Sequence, residues 1–472
     1  MIKTSAGPPV SGPSDLGAAG RAARRLAPRS SHGDWHPDVD RPDPVKTLID
    51  QAEGRVAELL PLRYGRMLVS PFSFYRGAAA IMARDLAGTP TSGLSVQLCG
   101  DAHLSNFGTF SSPERELVFD VNDFDETLPG PWEWDVKRLA ASVCVAGRDR
   151  AFGGKDIASA VLATVAAYRE AMAAFAQQGH LDVWYARVDV DELSRLFTTG
   201  IDVKRRELLE RELERARTNT SVKALGKLTT MVEGNVGFLS KPPLLVPVDE
   251  LLSGDERRDA EDNLKALLSG YRKSVAPARR TLLERYHYVS MARKVVGVGS
   301  VGERDWVILL HGRDGRDPLL LQAKEAASSV LEQHLGPSAH HNHAERVVEG
   351  QKLVQAVSDI FLGWLCAPGP DGGERDYYIR QVADGKGAID ISLLLPGGLS
   401  AYGRLCGWTL ARAHARTGDR VAIAGYLGRG DTFDRAIVAF AERYADQNEA
   451  DYKALHDAVA AGRVRAATAA TG

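Results

Sequence analysis

Two acidic segments carry the densest chemistry in this chain. In Gly100-Asp101-Ala102-His103-Leu104-Ser105-Asn106-Phe107-Gly108, Asp101 and Asn106 stand five apart, and a second segment, Phe119-Asp120-Val121-Asn122-Asp123-Phe124-Asp125-Glu126, brings further carboxylates. Between them Thr109-Phe110 and Leu117-Val118-Phe119 flank a polar turn from Ser111 to Glu116, the pattern of a β-hairpin. A hairpin returns its ends to one place, so Asp101, Asn106 and Asp123 can converge. Convergent oxygens suit Mg²⁺, which is shared between one or two protein carboxylates and the phosphates of a substrate. In phosphoryl transfer one Asp takes the proton of the attacking hydroxyl while an Asn and a second Asp hold metal. On this spacing Asp101 is the candidate base, and Asn106 and Asp123 are the candidate metal ligands. Asp and Asn also form turns, which is the plain alternative for Asp101 and Asn106 taken alone.

A second group lies in the back half. Gly297, Gly299 and Gly302 satisfy G-x-G-x-x-G. A dinucleotide-binding fingerprint needs a helix after those glycines, and here a strand follows, so that reading fails. A glycine-rich hairpin over nucleotide phosphates needs strand, loop, strand and then a lysine on the third strand. Lys324, in Leu319-Leu320-Leu321-Gln322-Ala323-Lys324, falls there. Glycines let backbone N–H groups approach phosphate oxygens, and an inward ammonium neutralises them. A lysine in so apolar a run needs a carboxylate or a phosphate. Glu345, in the next helix, is the chosen partner, with Glu332 and Glu349 as alternatives and snorkelling from a sheet edge as the other role. Adenine is expected near Gln381, Val382 and Ala383. Arg63, Arg66 and Arg76 precede the first acidic segment, where structural ion pairing is expected ahead of contact with phosphate or acceptor.

The elements that hold these groups follow from periodicity. Residues 1–44 are rich in Pro, Gly, Ser, Arg and Asp without a hydrophobic period, and read as a disordered N-terminal segment. Residues 45–289 read as a helical catalytic lobe, with helices over Val45 to Leu60, Gly77 to Leu86, Trp132 to Val143 and Asp156 to Phe175, and a strand at Leu94 to Leu98. Glu and Arg alternate over 207–217 as on a solvated helix face. Residues 290–385 read as a small β lobe that opens with a three-stranded antiparallel meander. Residues 386–460 supply helices that complete the large lobe, and 461–472 form a loose tail.

The chain has 472 residues, 44% hydrophobic and 25% charged, with a formal net charge of −2. That is the composition of a globular protein with a sizeable core, and it offers no overall electrostatic case for a nucleic-acid or membrane partner. Cys99, Cys144, Cys366 and Cys406 lack C-x-x-C spacing and lie in apolar or helix-like contexts, which favours buried reduced thiols and a cytoplasmic location. No run of eighteen apolar residues occurs, and the N-terminus lacks an apolar signal core.

Three segments resemble the protein-kinase-like superfamily, and especially its aminoglycoside phosphotransferase branch. Gly100-Asp101-Ala102-His103-Leu104-Ser105-Asn106 resembles its catalytic loop, with Cys99 where the branch has His. Asn122-Asp123-Phe124-Asp125-Glu126 resembles its metal-binding segment, and Trp132-Glu133-Trp134-Asp135-Val136-Lys137-Arg138 resembles the helix whose Asp braces the catalytic loop. The resemblance gives that bracing role to Asp135, and His103 inside the loop could orient Asp101. More narrowly, Ser70-Pro71-Phe72-Ser73-Phe74-Tyr75-Arg76-Gly77 and the stretches over 345–364 and 377–387 are similar to an uncharacterised bacterial domain of unknown function. The resemblance implies an α+β, two-lobed kinase-like fold. Asp101 precedes Lys324, the reverse of the usual order, which implies circular permutation, with Leu410-Ala411-Arg412-Ala413-His414 resembling the helix that normally leads into the catalytic loop. The expected activity is ATP- and Mg²⁺-dependent transfer of a phosphoryl group to a hydroxyl of a small molecule or protein. The rival from another class is a nucleotide-binding pseudokinase that regulates or scaffolds. A two-metal phosphoesterase ranks last, because the chain lacks the several metal-binding histidines that it needs.

Overall fold

Prolines set the helix starts at the front of the chain. Helices α1 (Pro13–Ala23), α2 (Pro44–Asp50), α3 (Leu60–Met67) and α4 (Pro71–Gly77) all carry Pro in the first turn, where a missing N–H breaks no intrahelical bond. Asp43 and Ser70 cap α2 and α4 by accepting the backbone N–H groups of Val45 and Ser73. After α5 (Ala79–Ala87), β1 (Ser95–Leu98) leads into the first acidic segment. Strands β2 (Phe107–Ser111) and β3 (Leu117–Val121) form the expected hairpin, in a register that sets Phe107 opposite Val121. Strand β4 (Leu128–Pro131) returns antiparallel to β1, and α6 (Trp132–Asp149) and α7 (Gly154–Phe175) follow.

The computed structural model describes residues 12–189, 211, 214, 221–232, 235–251, 267, 269–368, 373–382, 385 and 387–467. Apart from Arg211 and Glu214, the Glu/Arg alternation over 207–217 lies outside the described residues. A short β5 (Val188–Asp189) pairs with β3, and the back half contributes α8 (Ser221–Leu228), β6 (Thr229–Val232), β7 (Asn235–Phe238) and β8 (Leu245–Pro247). Next come β9 (His287–Lys294), β10 (Asp305–His311), β11 (Pro318–Ala326), α9 (His343–Val354), β12 (Gly363–Pro368) and β13 (Glu374–Gln381). Six of these strands make one antiparallel sheet in the order β12-β13-β11-β10-β9-β8. Helices α10 (Pro396–Thr417), α11 (Arg420–Leu427) and α12 (Thr432–Ala460) close the chain. The architecture is mixed α+β, with several antiparallel sheets.

The main core gathers α6, α7, α10 and α12 around Trp132, which stacks on Tyr168 with centroids 5.6 Å apart. Helix α7 has the length and apolar composition of a membrane span, and half of that window is buried inside the fold. It packs against α10 at a distance only glycine allows, because a Cβ on Gly403 would collide with the Thr164 side chain. A fully buried ion pair, Arg412 Nη2 to Asp120 Oδ1 at 2.6 Å, ties α10 to β3.

Several local expectations differ from what is found. The composition before residue 44 implies a loose segment, yet from Gly12 on the chain holds α1, with Gly17, Gly20 and Ala23 buried, and a 3₁₀ turn at Arg29–Gly33 with His32 buried. Small residues make that contact with α11, so no bulky hydrophobic period announces it. The helix read over Val45 to Leu60 breaks after Asp50, where Gly54 takes φ +80°. Residues 461–467 are not loose: Val464 is buried, and the Ala467 N–H donates to the Pro61 carbonyl at 2.8 Å. Cys366 is exposed, unlike the other three cysteines.

Candidate functional site

Gly100 turns the chain out of β1 with φ +85°, at a point where a Cβ would strike the Glu126 backbone. The turn exposes two backbone N–H groups to one carboxylate in the first turn of α6. Asp135 accepts from Cys99 N at 2.8 Å and from Gly100 N at 3.0 Å. His414 Nε2, from α10, lies 3.1 Å from the same carboxylate, and its Nδ1 lies 2.9 Å from the Tyr168 hydroxyl. Arg138 stands one helical turn after Asp135, so both face the loop. Its Nε donates to Asp101 Oδ1 at 2.8 Å, and its guanidinium lies 4.0 Å over the Tyr75 ring.

Asp101 is 18% exposed at its side chain. Burial alone would raise its pKa, but Arg138, then His103 and Arg76, outweigh burial and hold the carboxyl below the usual carboxylate range. His103 Nε2 is 3.6 Å from Asp101 Oδ2, longer than a hydrogen bond, and burial pushes the imidazole down to about 3, so it is neutral at pH 7. Asn106 donates through Nδ2 to the Asp101 carbonyl at 2.8 Å. Among the described residues its amide oxygen accepts no hydrogen bond. Asp123, at the end of the hairpin, is pushed up to about 6 by burial and then by the Asp125 charge. It has no ion-pair partner among the described residues.

Lys324 reaches this acidic segment from the sheet. Its ammonium pairs with Asp125 and lies 3.2 Å from Glu303 Oε2, while the Tyr378 hydroxyl donates to Asp125 Oδ1 at 2.9 Å. Lys324 and Tyr378 are register neighbours on β11 and β13, so one face of the sheet presents both. The contact joins residues 199 apart in the chain. The expected pairing of Lys324 with Glu345 is not found. Asn342 caps α9 at the Glu345 N–H, and the Glu345 carboxylate lies 3.6 Å from His340 Nδ1. The alternatives are also engaged elsewhere, Glu332 near Arg346 at 3.7 Å and Glu349 with Lys352 at 2.9 Å.

The glycine loop connects β9 to β10, with Gly297 and Gly302 at positive φ. Its carbonyls are held by arginines from the front of the chain: Arg66 Nη1 donates to Gly297 O at 2.7 Å and Arg55 Nη1 to Gly299 O at 2.7 Å. The Gly302 carbonyl accepts from Val56 N. The residues expected near adenine are committed to the fold. Gln381 bonds Asp359 through its backbone N–H and side chain, and Val382 is buried with Val307, Leu309, Leu320 and Phe238. Ala383 lies outside the described residues.

Two clefts flank the centre. One, with about 1470 Å³ of open space, borders Asp125, Glu126, Glu303, Glu325 and Glu332, with Arg55 and Arg375 as its cationic members. The other, of about 690 Å³, lies between the β2–β3 turn, Gln351 and Gln355 of α9, and Arg380. Among the described residues no three His, Cys, Asp or Glu side chains converge as a ready metal cage. A divalent ion could be held here only if shared with a ligand: Asp123 offers a carboxylate that burial and Asp125 make hard to ionise without a cation.

Asp125, Glu303, Arg138 and Tyr378 were not singled out by sequence. Asp125 had a signal, because it repeats Asp123 two residues on, the spacing that puts both on one side of an extended segment. Arg138 had one too, three residues past Asp135 on a helix. Glu303 and Tyr378 act through tertiary pairing that no local pattern announces.

A family model for an uncharacterized protein conserved in bacteria (DUF2252) matches residues 55–458, and the chain belongs to that family. No curated protein and no solved structure matches it.

Proposed function

We propose that this member of the family is an ATP- and Mg²⁺-dependent phosphotransferase with a circularly permuted, protein-kinase-like fold. The observation that carries the reading is the meeting of Lys324, from the sheet behind a glycine loop, with the acidic segment that follows the Asp101 loop. Three further features support it. Asp135 grips the backbone of the Asp101 loop, the Asn106 carbonyl in that loop accepts from Asn122 N beside Asp123, and the end of α10 abuts β1. There Thr417 Oγ1 accepts from Gln97 N at 3.1 Å, so a helix late in the chain runs up to the strand before the loop, as permutation requires.

Asp101, ionised at neutral pH by its arginine neighbour, would accept the proton of the acceptor hydroxyl as that oxygen bonds to the terminal phosphorus of ATP. The bond from that phosphorus to the bridging oxygen breaks, and ADP leaves with the electron pair. Lys324 would turn from Asp125 to the phosphates. Asn106 and Asp123 would hold Mg²⁺, which supplies charge neutralisation at the phosphate oxygens. Replacing Asp101 by Asn is expected to slow ATP consumption by roughly 10²- to 10⁴-fold while leaving binding of a non-hydrolysable ATP analogue intact. Unchanged consumption in D101N removes the assignment, and a wild type that neither binds nor consumes ATP removes the reading.

One observation favours the pseudokinase as second reading. Phe238 and its neighbours cover the apolar row Val307, Leu309, Leu320 and Val382, the sheet face on which a base would lie. Analogue binding without consumption would select that reading.

A further inference from the structure

Arg76 belongs to the Ser70-Pro71-Phe72-Ser73-Phe74-Tyr75-Arg76-Gly77 segment, for which the proposed activity has so far no use. It lies near the end of α4, between the two loops of the site. Its carbonyl oxygen is 3.2 Å from where a Cβ on Gly299 would stand, and the carbonyl of Tyr75 accepts from Arg138 Nη2 at 2.8 Å. The Arg76 guanidinium has no ion-pair or hydrogen-bond partner among the described residues, and its Nε is buried. It lies close enough to Asp101 and Arg66 to feel both charges, although beyond ion-pair distance. Among the described residues Arg66 in turn holds only the Gly297 carbonyl. Arg63 behaves differently, being buried and engaged with the Leu48 and Gly77 carbonyls and with Gln51.

Two guanidinium charges, from Arg76 and Arg138, therefore act on one carboxylate, Asp101, with the Arg66 charge close to Arg76, beside a neutral His103 whose Nδ1 is also buried without a partner. Cations gathered in a partly desolvated place are costly unless an anion completes them. A guanidinium fork is matched in shape to the oxygens of phosphate. Structural ion pairing, the role sequence favours for these arginines, describes neither Arg66 nor Arg76.

We propose that Arg66 and Arg76, with Arg138 behind them, form a phosphate-binding site beside the Asp101 carboxylate. The site deepens the phosphotransferase reading and rests on it only for the source of the phosphate, either the terminal group of a nucleotide or one already carried by the acceptor.

Titration of the full chain with inorganic phosphate at low ionic strength, read by calorimetry, tests this. Wild type should bind, R76Q should weaken binding by roughly 10- to 100-fold, and R66Q by less. R76K should keep part of the affinity, since it keeps the charge but loses the fork. Should R76Q not fold, R66Q and R76K carry the same comparison. Absence of phosphate binding by wild type, or equal binding by wild type and the folded variants, overturns the site. Repeating the titration with a saturating non-hydrolysable ATP analogue and Mg²⁺ identifies the source: loss of the phosphate site points to the nucleotide, and persistence points to the acceptor. Wild type that binds phosphate but not the analogue sinks the phosphotransferase reading and leaves the anion site standing. Wild type that binds the analogue but not phosphate sinks the anion site alone.

Discussion

Asp135→Asn separates a carboxylate that organises the loop from one that merely sits beneath it. The native group accepts two backbone N–H donors and faces the His414 imidazole in a fully buried place. An asparagine keeps one accepting oxygen and turns an NH₂ toward the other donor. The variant loses one charge-assisted bond, about 1.5–3 kcal/mol, and leaves a buried N–H unpaired, about 1–3 kcal/mol more. A total near 4 kcal/mol, over roughly 400 ordered residues at about 2.1 cal/mol/K each, lowers the melting midpoint by about 5 °C. Calorimetry of wild type, D135N, H414Q and the double variant gives the cycle. The pair should couple by about 1 kcal/mol or more, since the imidazole and the two amides share one acceptor. Consumption of ATP by D135N should fall further than its stability loss explains, because the backbone that carries Asp101 is released. A D135N midpoint within about 1 °C of wild type would refute the reasoning.

Two further outcomes rest on buried charge. Arg412→Met should cost about 3–5 kcal/mol in urea unfolding by leaving Asp120 uncompensated, and adding Asp120→Asn should recover most of it; a double variant as unstable as the single counts against the pair. His32, 2.6 Å from the Tyr426 hydroxyl, is held down to about 3 by burial and then by the Lys137 charge, against 6.5 when unfolded. The unfolded chain then binds a proton that the native chain does not, so stability falls as pH drops below 6.5, by about 1.4 kcal/mol per pH unit from this residue. His32→Gln should remove that share of the slope between pH 6 and 5, and an unchanged slope in unfolding free energy would show the imidazole to be free to charge.

Local signals carried the front of the site. The hairpin was legible because β-branched and aromatic residues flank a polar turn, and the strands over 287–326 because glycines and a charged turn separate apolar runs. Asp135 was legible only through its resemblance, since a first-turn Asp on a helix is ordinarily a response to the helix dipole. The Lys324 partner was misread for a physical reason. The expectation sought a glutamate on the next helix, whereas the ammonium settles on the acidic segment and on Glu303 beside its own sheet register. Those groups are closer once the sheet lies over the hairpin, a juxtaposition no spacing along the chain encodes. Likewise α1 was hidden because glycine and alanine, rather than leucine, make its contact.

The links between the acidic segment and the sheet are few and polar: Lys324 and Tyr378 on Asp125, and Arg380 Nη1 on the Asn122 carbonyl at 3.1 Å. Each spans a long stretch of sequence, so each forms only after its two halves have ordered. The Asp101 loop is held from nearer in sequence at its start, by Asp135 and Arg138 of the helix that follows it, while Tyr402 of α10 later adds its hydroxyl to the Leu104 and Phe107 carbonyls. The same division separates the two candidate roles chemically. A loop preset by α6 can hold a base in place before any nucleotide arrives, while a lysine tied to Asp125 must exchange one anion for another. On the proposed reading, phosphates would compete with Asp125 and Glu303 for that ammonium, and Asp125, with Tyr378 as a second partner, would not be left unpaired when Lys324 departs. On that reading, a chain in which Asp125 had no second partner would resist opening, and Tyr378 would make the contact exchangeable.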